Sequence, residues 1–336
     1  MSIEKKIQAL VKSGHELEQE ILNEDLLKSI EGQNPWFIQR FVKYATQSIC
    51  THYLQHEKLD DFCRFYHLKS PVNKTLALIF AGNIPLSGMH DFICGYLSGC
   101  RMQIKLSGKD NILFPLFFRA MARYDSAFHE QVKVVDKVSG FDCIMATGSD
   151  TTFPYFEQYF STYPHILRRN RNSLAVLAGN ESDKELEELA DDIFLYFGLG
   201  CRNVSQLLVP SDYDLKRLIS KMSSYQWVHH HTRYMNNYDY HRTLLLLNQV
   251  PHLADQHIML TENERIQSPI SVLHIKRYTT PQEITAHITA NTEKIQCVVS
   301  ANLLPGIKSI SPGTSQIPGL TDFADDRDTI QFLLSL

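Results

Sequence analysis

The sequence lacks an apolar run long enough to cross a membrane, and it lacks an excess of positive charge. The longest apolar stretch, residues 75–86, is interrupted by Gly82, Asn83 and Pro85, whereas a membrane helix needs about 20 apolar residues. The first ten residues contain no continuous apolar core of the kind that signal peptides carry. Lys and Arg number 33 against 37 Asp and Glu, which gives a net charge of −4. We therefore expect a soluble, cytoplasmic protein with no membrane span and no nucleic-acid partner.

Cysteine is sparse and shows no pairing pattern. The seven cysteines form no CxxC motif, which predicts free thiols in a reducing compartment rather than a disulfide framework or a zinc cage. The run His229-His230-His231 suggests a metal site, but adjacent side chains on a helix point about 100° apart and cannot all reach one ion. No metal is expected.

The composition nevertheless provides a sizeable core. Of 336 residues, 43% are hydrophobic and 21% are charged, which excludes a disordered chain and suggests about two domains. Residues 1–70 have apolar side chains three and four positions apart, in LEQEILNEDLLKSI and PWFIQRFVKYATQSICTHYL. This spacing predicts a helical N-terminal region, with Pro35 as the first residue of the second helix.

From residue 71 the periodicity changes to alternating strands and helices. Short apolar runs predict strands at 75–80, 101–106, 132–136 and 142–147, and later at 173–179, 204–210, 268–278 and 295–300. Helical spacing between them includes a capping box at Ser182 and Glu185, followed by a helix that reaches Gly198. The alternation predicts two α/β lobes with parallel sheets, at 71–172 and 173–310, with 311–336 as a candidate to complete the first.

Cys201 is the leading candidate for chemistry. It stands in YFGLGCRNVSQLLVP, where a turn between a glycine pair and a strand could expose the thiol, and Arg202 could favour the thiolate. Free cysteines are more often small buried hydrophobes, so the spacing alone leaves a structural role open. The GLGCRN string lacks the third glycine of a dinucleotide fingerprint.

Three strand ends carry further candidates. Asn83 follows the strand at 75–80, Lys105 and Lys109 flank the end of the next strand, and Gly148 and Ser149 follow the strand at 142–147. An amide can donate to an oxyanion, and lysines and bare backbone N–H groups can meet phosphate or ribose. Each position also fits an ordinary turn or a solvated side chain. Together they predict an anion-binding edge of one sheet.

From about residue 72 to about 310 these segments, in this order, resemble the aldehyde dehydrogenase superfamily. The resemblance is greater to the long-chain fatty acyl-CoA reductases of the bacterial luminescence type. FAGNIPLSGMHDFICGYLSGCRMQIKLS is similar to the stretch from the Trp-Asn-Phe-Pro loop to the Lys-Pro-Ser-Glu strand end. ATGSD is similar to the Thr-Gly-Ser turn, FGLGCRNVSQLLVP to the Gly-Gln-x-Cys segment, and residues 268–300 to the late segment with its Gly-Pro turn.

The resemblance implies an aldehyde-dehydrogenase-like α/β fold. It consists of two lobes with Rossmann-like parallel sheets and a helical N-terminal region, in which 71–172 binds the cofactor and 173–310 is catalytic. Cys201 would be the nucleophile that accepts the acyl group as a thioester, and Asn83 with the Cys201 backbone amide would form the oxyanion hole. Lys105 and Ser107 would meet the adenine ribose of the cofactor, and the Gly148-Ser149 pair its phosphates or nicotinamide.

Two departures from the superfamily pattern refine the predicted reaction. The catalytic Glu about 30 residues before the cysteine is missing, and no acid lies between Glu157 and Glu181. Without a base to activate water, exchange of the acyl group with a thiol is favoured over hydrolysis. Gly108 replaces the Glu that binds the ribose, and Lys109 could pair with a 2′-phosphate, so the sequence predicts NADPH rather than NADH.

The predicted function is therefore NADPH-dependent reduction of an acyl thioester to an aldehyde through a thioacyl-Cys201 intermediate. The acyl donor would be acyl-CoA or an acyl-carrier protein, and a homo-oligomer is compatible with the sequence. Two alternatives stay open. One is a cysteine acyltransferase or thioesterase that works without hydride, and the other is an inactive binding or scaffold protein of the same fold.

Overall fold

The computed structural model describes residues 2–68 and 70–336 and divides into two compact units. The first consists of Met1–Asn170 with Ile317–Leu336, and the second is Arg171–Gln316. Within the described ranges, no helix is both long enough and apolar enough to cross a lipid bilayer.

Four amphipathic helices open the first unit, as the N-terminal spacing predicts. They are α1 (Ile3–Glu20), α2 (Glu24–Gln33), α3 (Gln39–His52) and α4 (His56–Phe65). The stretch LEQEILNEDLLKSI contains the end of α1 and the start of α2, because Asn23 caps α2: its side chain accepts from the N–H groups of Asp25 and Leu26.

Pro35 is not a first helical residue, which corrects an expectation from the sequence. The Asn34 side chain accepts from the Trp36 N–H at 3.2 Å, and the Phe37 N–H donates to the Asn34 carbonyl at 2.8 Å. These bonds close a turn around Pro35, because an Asn side chain competes with helical bonding near its own backbone. Helix α3 therefore begins four residues later, at Gln39.

A five-stranded parallel sheet forms the centre of the first unit. Its strands are β1 (Thr75–Ile79), β2 (Arg101–Lys105), β3 (Val132–Val134), β4 (Cys143–Thr147) and β5 (His165–Arg168), in the order β3-β2-β1-β4-β5. Between them run α5 (Met89–Ser98), α6 (Leu113–Tyr124), α7 (Phe128–Gln131) and α8 (Phe153–Phe160). The chain winds outward from β1 to β3 and then returns to β4, so the winding direction reverses beside β1. Such a reversal is where ligands bind in open α/β sheets.

A six-stranded sheet forms the centre of the second unit. Its strands are β6 (Asn172–Val176), β7 (Val204–Pro210), β8 (His252–Ala254), β9 (Met259–Glu262), β10 (Val272–Tyr278) and β11 (Ile295–Val299). Their order is β11-β6-β7-β10-β9-β8, and the β8–β9 pair is antiparallel. The helices are α9 (Asp183–Phe194), α10 (Leu215–Lys221), α11 (Thr232–Leu247) and α12 (Pro281–Ala290). The capping box predicted at Ser182 and Glu185 starts α9.

The end of the chain returns to the first unit. Its last helix, α13 (Thr329–Leu334), packs on α5 and buries Ile330 and Leu333. A buried ion pair between Arg168 and Asp91 lies beside it, and the Arg168 guanidinium also donates to the Thr329 hydroxyl at 3.3 Å. The C-terminal segment is therefore part of the core of the first unit.

Candidate active site

The candidate positions of the first unit lie along one edge of its sheet. Strands β2 and β4 both pair in parallel with β1, so the three loops that follow these strands leave the sheet side by side. In chain order, these strand ends and loops carry Asn83, then Lys105, Ser107 and Lys109, and then Gly148 and Ser149. The loops after β1 and β4 flank the point where the winding reverses, which is the usual position of a bound nucleotide.

The loops after β1 and β2 are in direct contact. A Cβ built on Gly82 would lie 2.3 Å from the Ser107 Oγ and 2.6 Å from the Ser107 Cβ. The Ser107 hydroxyl in turn accepts from the Lys109 N–H at 3.3 Å. Glycine is therefore required at position 82, and the loop that carries Asn83 packs on the loop that carries the candidate cofactor residues.

Asp110 joins the same two loops by a hydrogen bond. Its Oδ2 accepts from the Leu86 N–H at 2.8 Å, and Leu86 has a φ of 57°, in the left-handed region that non-glycine residues rarely adopt. Burial raises the pKa of Asp110 to about 6. Sequence reasoning missed this residue, because a single Asp after a Lys in a loop gives no sign that it will be buried.

The loop after β4 forms the N-terminus of α8. The Ser149 carbonyl accepts from the N–H groups of Thr152 and Phe153, both at 2.9 Å. A Cβ on Gly148 would meet the Thr152 Oγ1 at 2.5 Å. Phe153 is buried, and the Arg169 guanidinium lies over its ring at 4.1 Å from the centroid. Gly148 thus allows a close turn at the start of the helix, beside the end of β1.

The candidate cofactor residues after β2 offer space and positive charge. Lys105, Gly108 and Lys109 are all exposed, and nothing lies within 4 Å of a Cβ built on Gly108. An anionic group could approach the Gly108 backbone, next to Lys109 in the chain, without displacing protein atoms.

Cys201 lies at the tip of a tight turn in the second unit. The Asn203 N–H donates to the Gly200 carbonyl at 3.1 Å, so Cys201 and Arg202 occupy the two central positions of the turn. The turn immediately precedes the amino end of β7. A short turn between a helix and a buried strand holds the cysteine backbone at the edge of the sheet.

Exposure separates Cys201 from most of the other cysteines. It is partly exposed, whereas Cys50, Cys63, Cys94, Cys100 and Cys143 are buried. Burial raises the pKa of the Cys50 and Cys143 thiols to about 12 and that of Cys297 to about 11. Such thiols carry almost no thiolate at neutral pH and are poor nucleophiles. Cys201 therefore stays the candidate nucleophile.

A strained turn leads into Cys201, where the sequence predicted a continuing helix. Helix α9 ends at Phe194, and Tyr196, Phe197 and Gly198 have φ values of 55°, 56° and 75°. Left-handed backbone at bulky residues costs about 1–3 kcal/mol each and tends to occur at functional sites.

Aromatic packing holds this turn. The Phe197 ring stacks on the His231 ring with 4.2 Å between the ring centroids, and its centroid lies 5.6 Å from that of the Tyr234 ring. Both partners come from the segment that begins α11, far along the chain. Local helical periodicity therefore does not predict the turn.

Glu181, the first acid after the acid-free stretch 158–180, is at the other end of this sheet from Cys201. Glu181 follows the carboxyl end of β6 and is buried, where it accepts from the Gly179 N–H at 3.1 Å. Cys201 precedes the amino end of the parallel neighbour β7. A five-residue strand separates the two ends by about 16 Å, so Glu181 is unsuited to act on the Cys201 thiol.

Two further acids of the same unit differ in their surroundings: Glu264 is paired with a lysine, and Asp239 is exposed. Glu264 forms an ion pair with Lys276, which is in register with Leu208, well along β7 from the Cys201 turn. Asp239 is exposed in the middle of α11.

The histidine run lies at the end of a 3₁₀ helix, Ser223–His230. Across residues 2–68 and 70–336, no group of three or more His, Cys, Asp or Glu side chains could hold a metal ion.

Comparison with known proteins identifies the fold. No protein-family model and no curated protein matches the sequence, but solved structures do. Aldehyde dehydrogenase 21 from Physcomitrella patens, solved with its reaction product succinate, has a TM-score of 0.70 at 9% identity and covers 100% of this chain and 84% of its own. An NADP-dependent enzyme from E. coli has a TM-score of 0.68 at 12% identity, over 93% of this chain and 78% of its own.

The indole-3-acetaldehyde dehydrogenase AldA from P. syringae, solved with NAD+ and IAA, is also similar. Its TM-score is 0.65 at 15% identity, over 90% of this chain and 73% of its own. The chain therefore has the α/β fold of the aldehyde dehydrogenases, which confirms the fold class predicted from its motifs.

Proposed function

We propose that this protein is an NADPH-dependent reductase that converts an acyl thioester to an aldehyde. The observation that carries the proposal is Cys201, a partly exposed thiol at the tip of a tight turn on an aldehyde dehydrogenase fold. The resemblance to luminescence-type reductases favours a fatty acyl group, delivered by coenzyme A or an acyl-carrier protein.

The first half-reaction is acyl transfer to Cys201. The thiolate attacks the thioester carbonyl carbon, the bond from that carbon to the donor sulfur breaks, and the donor leaves as a thiolate that takes up a proton. The acyl group is then held as a thioester on Cys201, which replaces one difficult step with two easier ones. The role proposed for the Cys201 backbone N–H is donation to the oxyanion that develops during attack.

The loops at the edge of the first sheet fit the cofactor. Lys105 and Ser107 would hold the adenine ribose, and Gly148 and Ser149 the phosphates or nicotinamide. The open space at Gly108 beside Lys109 suits a 2′-phosphate, since a charged donor and a bare backbone meet there. When bound, NADPH supplies the hydride that releases the acyl group as an aldehyde. The similar E. coli enzyme is NADP-dependent and the P. syringae enzyme was solved with NAD+.

The positions of Glu181 and Glu264 support thiol exchange over hydrolysis, and both carboxylate oxygens of Asp192, the acid nearest the Asn203 amide, accept from the Gly313 and Ser315 N–H groups. Glu181 follows the far end of β6 and Glu264 is paired with Lys276. Neither is placed to take a proton from a water molecule at Cys201. An acceptor thiol needs less help than water, because a thiol pKa of about 8.5 leaves a far larger ionised fraction at neutral pH than the pKa of about 15.7 of bulk water.

The test is covalent labelling. Protein incubated with radiolabelled acyl-CoA should acquire a label that hydroxylamine removes, and peptide mapping should locate it at Cys201. Cys201→Ala should abolish the label, whereas Cys143→Ala, which removes a buried thiol, should retain it. Label at Cys94 or Cys143 in the wild type would contradict the assignment. Acyl transfer to a thiol or water with no consumption of NADPH would favour the acyltransferase or thioesterase.

A further inference from the structure

One side chain, that of Asn203, closes the turn at Cys201. Its Oδ1 accepts from the Gly200 N–H at 2.8 Å, while its own N–H donates to the Gly200 carbonyl at 3.1 Å. The two bonds join the residue before Cys201 to the residue after Arg202. Backbone rotation that would redirect the cysteine must break at least one of them.

The other end of the same amide reaches back across the strained turn. The Asn203 Nδ2 donates to the Asp192 carbonyl at 3.0 Å and to the Leu195 carbonyl at 2.9 Å. Carbonyls at the end of a helix lack donors within the helix itself, and here the Asn203 amide is their donor. Its amide therefore bonds to residues on both sides of Tyr196–Gly198, the segment with left-handed backbone.

Strand β6 also bonds to the turn, through Ser173. The Ser173 N–H donates to the Asn203 carbonyl, and the Ser173 hydroxyl donates to the Cys201 carbonyl, both at 3.1 Å. Asn203 is only 1% exposed and Ser173 is fully buried, so water cannot replace these bonds without opening the core.

We propose that Asn203 is a positioning residue for Cys201, an inference that rests on the proposed role of Cys201 as the nucleophile. A left-handed turn at Tyr196 and Phe197 stores strain, and a chain free to relax would move Cys201. Asn203 prevents that relaxation, because it ties the end of α9 to Gly200. A buried Asn satisfies both donors and its acceptor here, which neither Ala nor Asp can do.

The experiment compares Asn203→Ala and Asn203→Asp with the wild type by the rate at which iodoacetamide alkylates Cys201, mapped by peptide mass spectrometry across pH 6–9. Asn203→Asp keeps the acceptor for Gly200 but turns an oxygen toward the Asp192 and Leu195 carbonyls. A displacement of about 1 Å can cost about 10²-fold in rate. We expect both variants to lose at least about tenfold in alkylation rate with a shifted pH midpoint, and kcat to fall more than KM changes.

Asn34→Ala is the matched control, since Asn34 is a buried amide in the other unit that bonds backbone groups on two sides. It should lower stability but leave the alkylation profile of Cys201 unchanged. A folded Asn203→Ala with wild-type alkylation rate and pH dependence would overturn the inference. If Asn203→Ala does not fold, Asn203→Asp decides on the same criterion. Failure of the proposed function is a separate result: wild type that never accepts an acyl group, with alkylation still slowed in the Asn203 variants.

Discussion

At the scale of single residues, reactivity depends on where the backbone holds a side chain. Cys201 and Cys143 have the same thiol, but Cys143 is enclosed within β4 and burial raises the pKa of its thiol to about 12. Cys201 is on a turn and partly exposed. The same reasoning applies to glycine: Gly82 is needed because Ser107 leaves no room for a Cβ, whereas Gly108 has open space around it.

Lys109 should determine the preference for NADPH over NADH. A charge-assisted contact with the 2′-phosphate contributes about 1–3 kcal/mol, so NADPH should bind the wild type more tightly. Lys109→Ala should reduce that preference and leave NADH binding nearly unchanged, as measured by fluorescence titration. Lys133→Ala, which removes an exposed lysine from β3, is the control. Equal dissociation constants for the two cofactors in the wild type would contradict the argument about Gly108 and Lys109.

At the scale of elements, the loops after β1 and β2 form one structure. Ser107 packs on Gly82, and Asp110 accepts from the Leu86 N–H. A change in either loop should therefore affect the other, and Asp110 is the titratable group in this contact.

Asp110 should make stability depend on pH. Burial raises its pKa to about 6 in the folded state, above the value of about 3.9 for an exposed Asp. The folded state thus holds the proton more tightly, and the free energy of unfolding falls as pH rises from about 4 to about 6, by at most about 3 kcal/mol from this group. Asp192, whose pKa burial also raises to about 6, acts in the same direction.

Urea denaturation between pH 4 and pH 7 measures this slope. Asp110→Asn retains an acceptor for the Leu86 N–H and has no proton to lose, so it should flatten the slope by roughly half while Asp192 supplies the rest. An unchanged slope in Asp110→Asn would show that Asp110 ionises normally.

The sequence predicts some elements well for a physical reason. Strands β1, β4 and β7 are buried in parallel sheets, so they are continuous apolar runs that can be recognised without knowledge of their partners. Strand β8 is a three-residue edge strand that is half-exposed, and α11 has Leu244–Leu247 consecutively rather than at helical spacing. Such elements carry little periodicity, and sequence analysis does not predict them.

Only part of the candidate site could be predicted from the sequence. Strand ends mark Asn83, Lys105 and Gly148, because side chains that follow parallel strands must meet at one edge. The strained turn at Tyr196 and Phe197 could not be predicted, since it depends on packing against residues of the α11 segment. For the same reason the buried roles of Asp110 and Asn203 emerge only from the folded chain.

At the scale of the whole molecule, long-range contacts organise the two units. The first unit includes the last twenty residues of the chain, where Tyr66 donates to Asp328 at 2.6 Å and Ile330 is fully buried. The second unit holds the candidate nucleophile at the amino end of β7 and Glu181 beyond the carboxyl end of β6. This arrangement bears on which acceptor can take the acyl group.

The protein should be unable to hydrolyse its own acyl-enzyme. General-base assistance contributes about 10²- to 10⁴-fold, and Glu181 and Glu264 are not placed to give it. Supplied with an aldehyde and NADP but no coenzyme A, the protein should form one equivalent of NADPH and stop. Addition of coenzyme A should restart turnover. Steady release of free carboxylic acid without a thiol would show that a base acts at Cys201.

The most direct test of the central claim is the conversion of acyl-CoA to aldehyde at the expense of NADPH. The loss of absorbance at about 340 nm, followed with acyl-CoA of several chain lengths, should match the aldehyde and coenzyme A formed, one for one, because the acyl-enzyme accepts a single hydride. Cys201→Ala should abolish all three signals. Wild-type protein that binds NADPH and acyl-CoA but oxidises no NADPH, or Cys201→Ala that retains activity, would contradict the account.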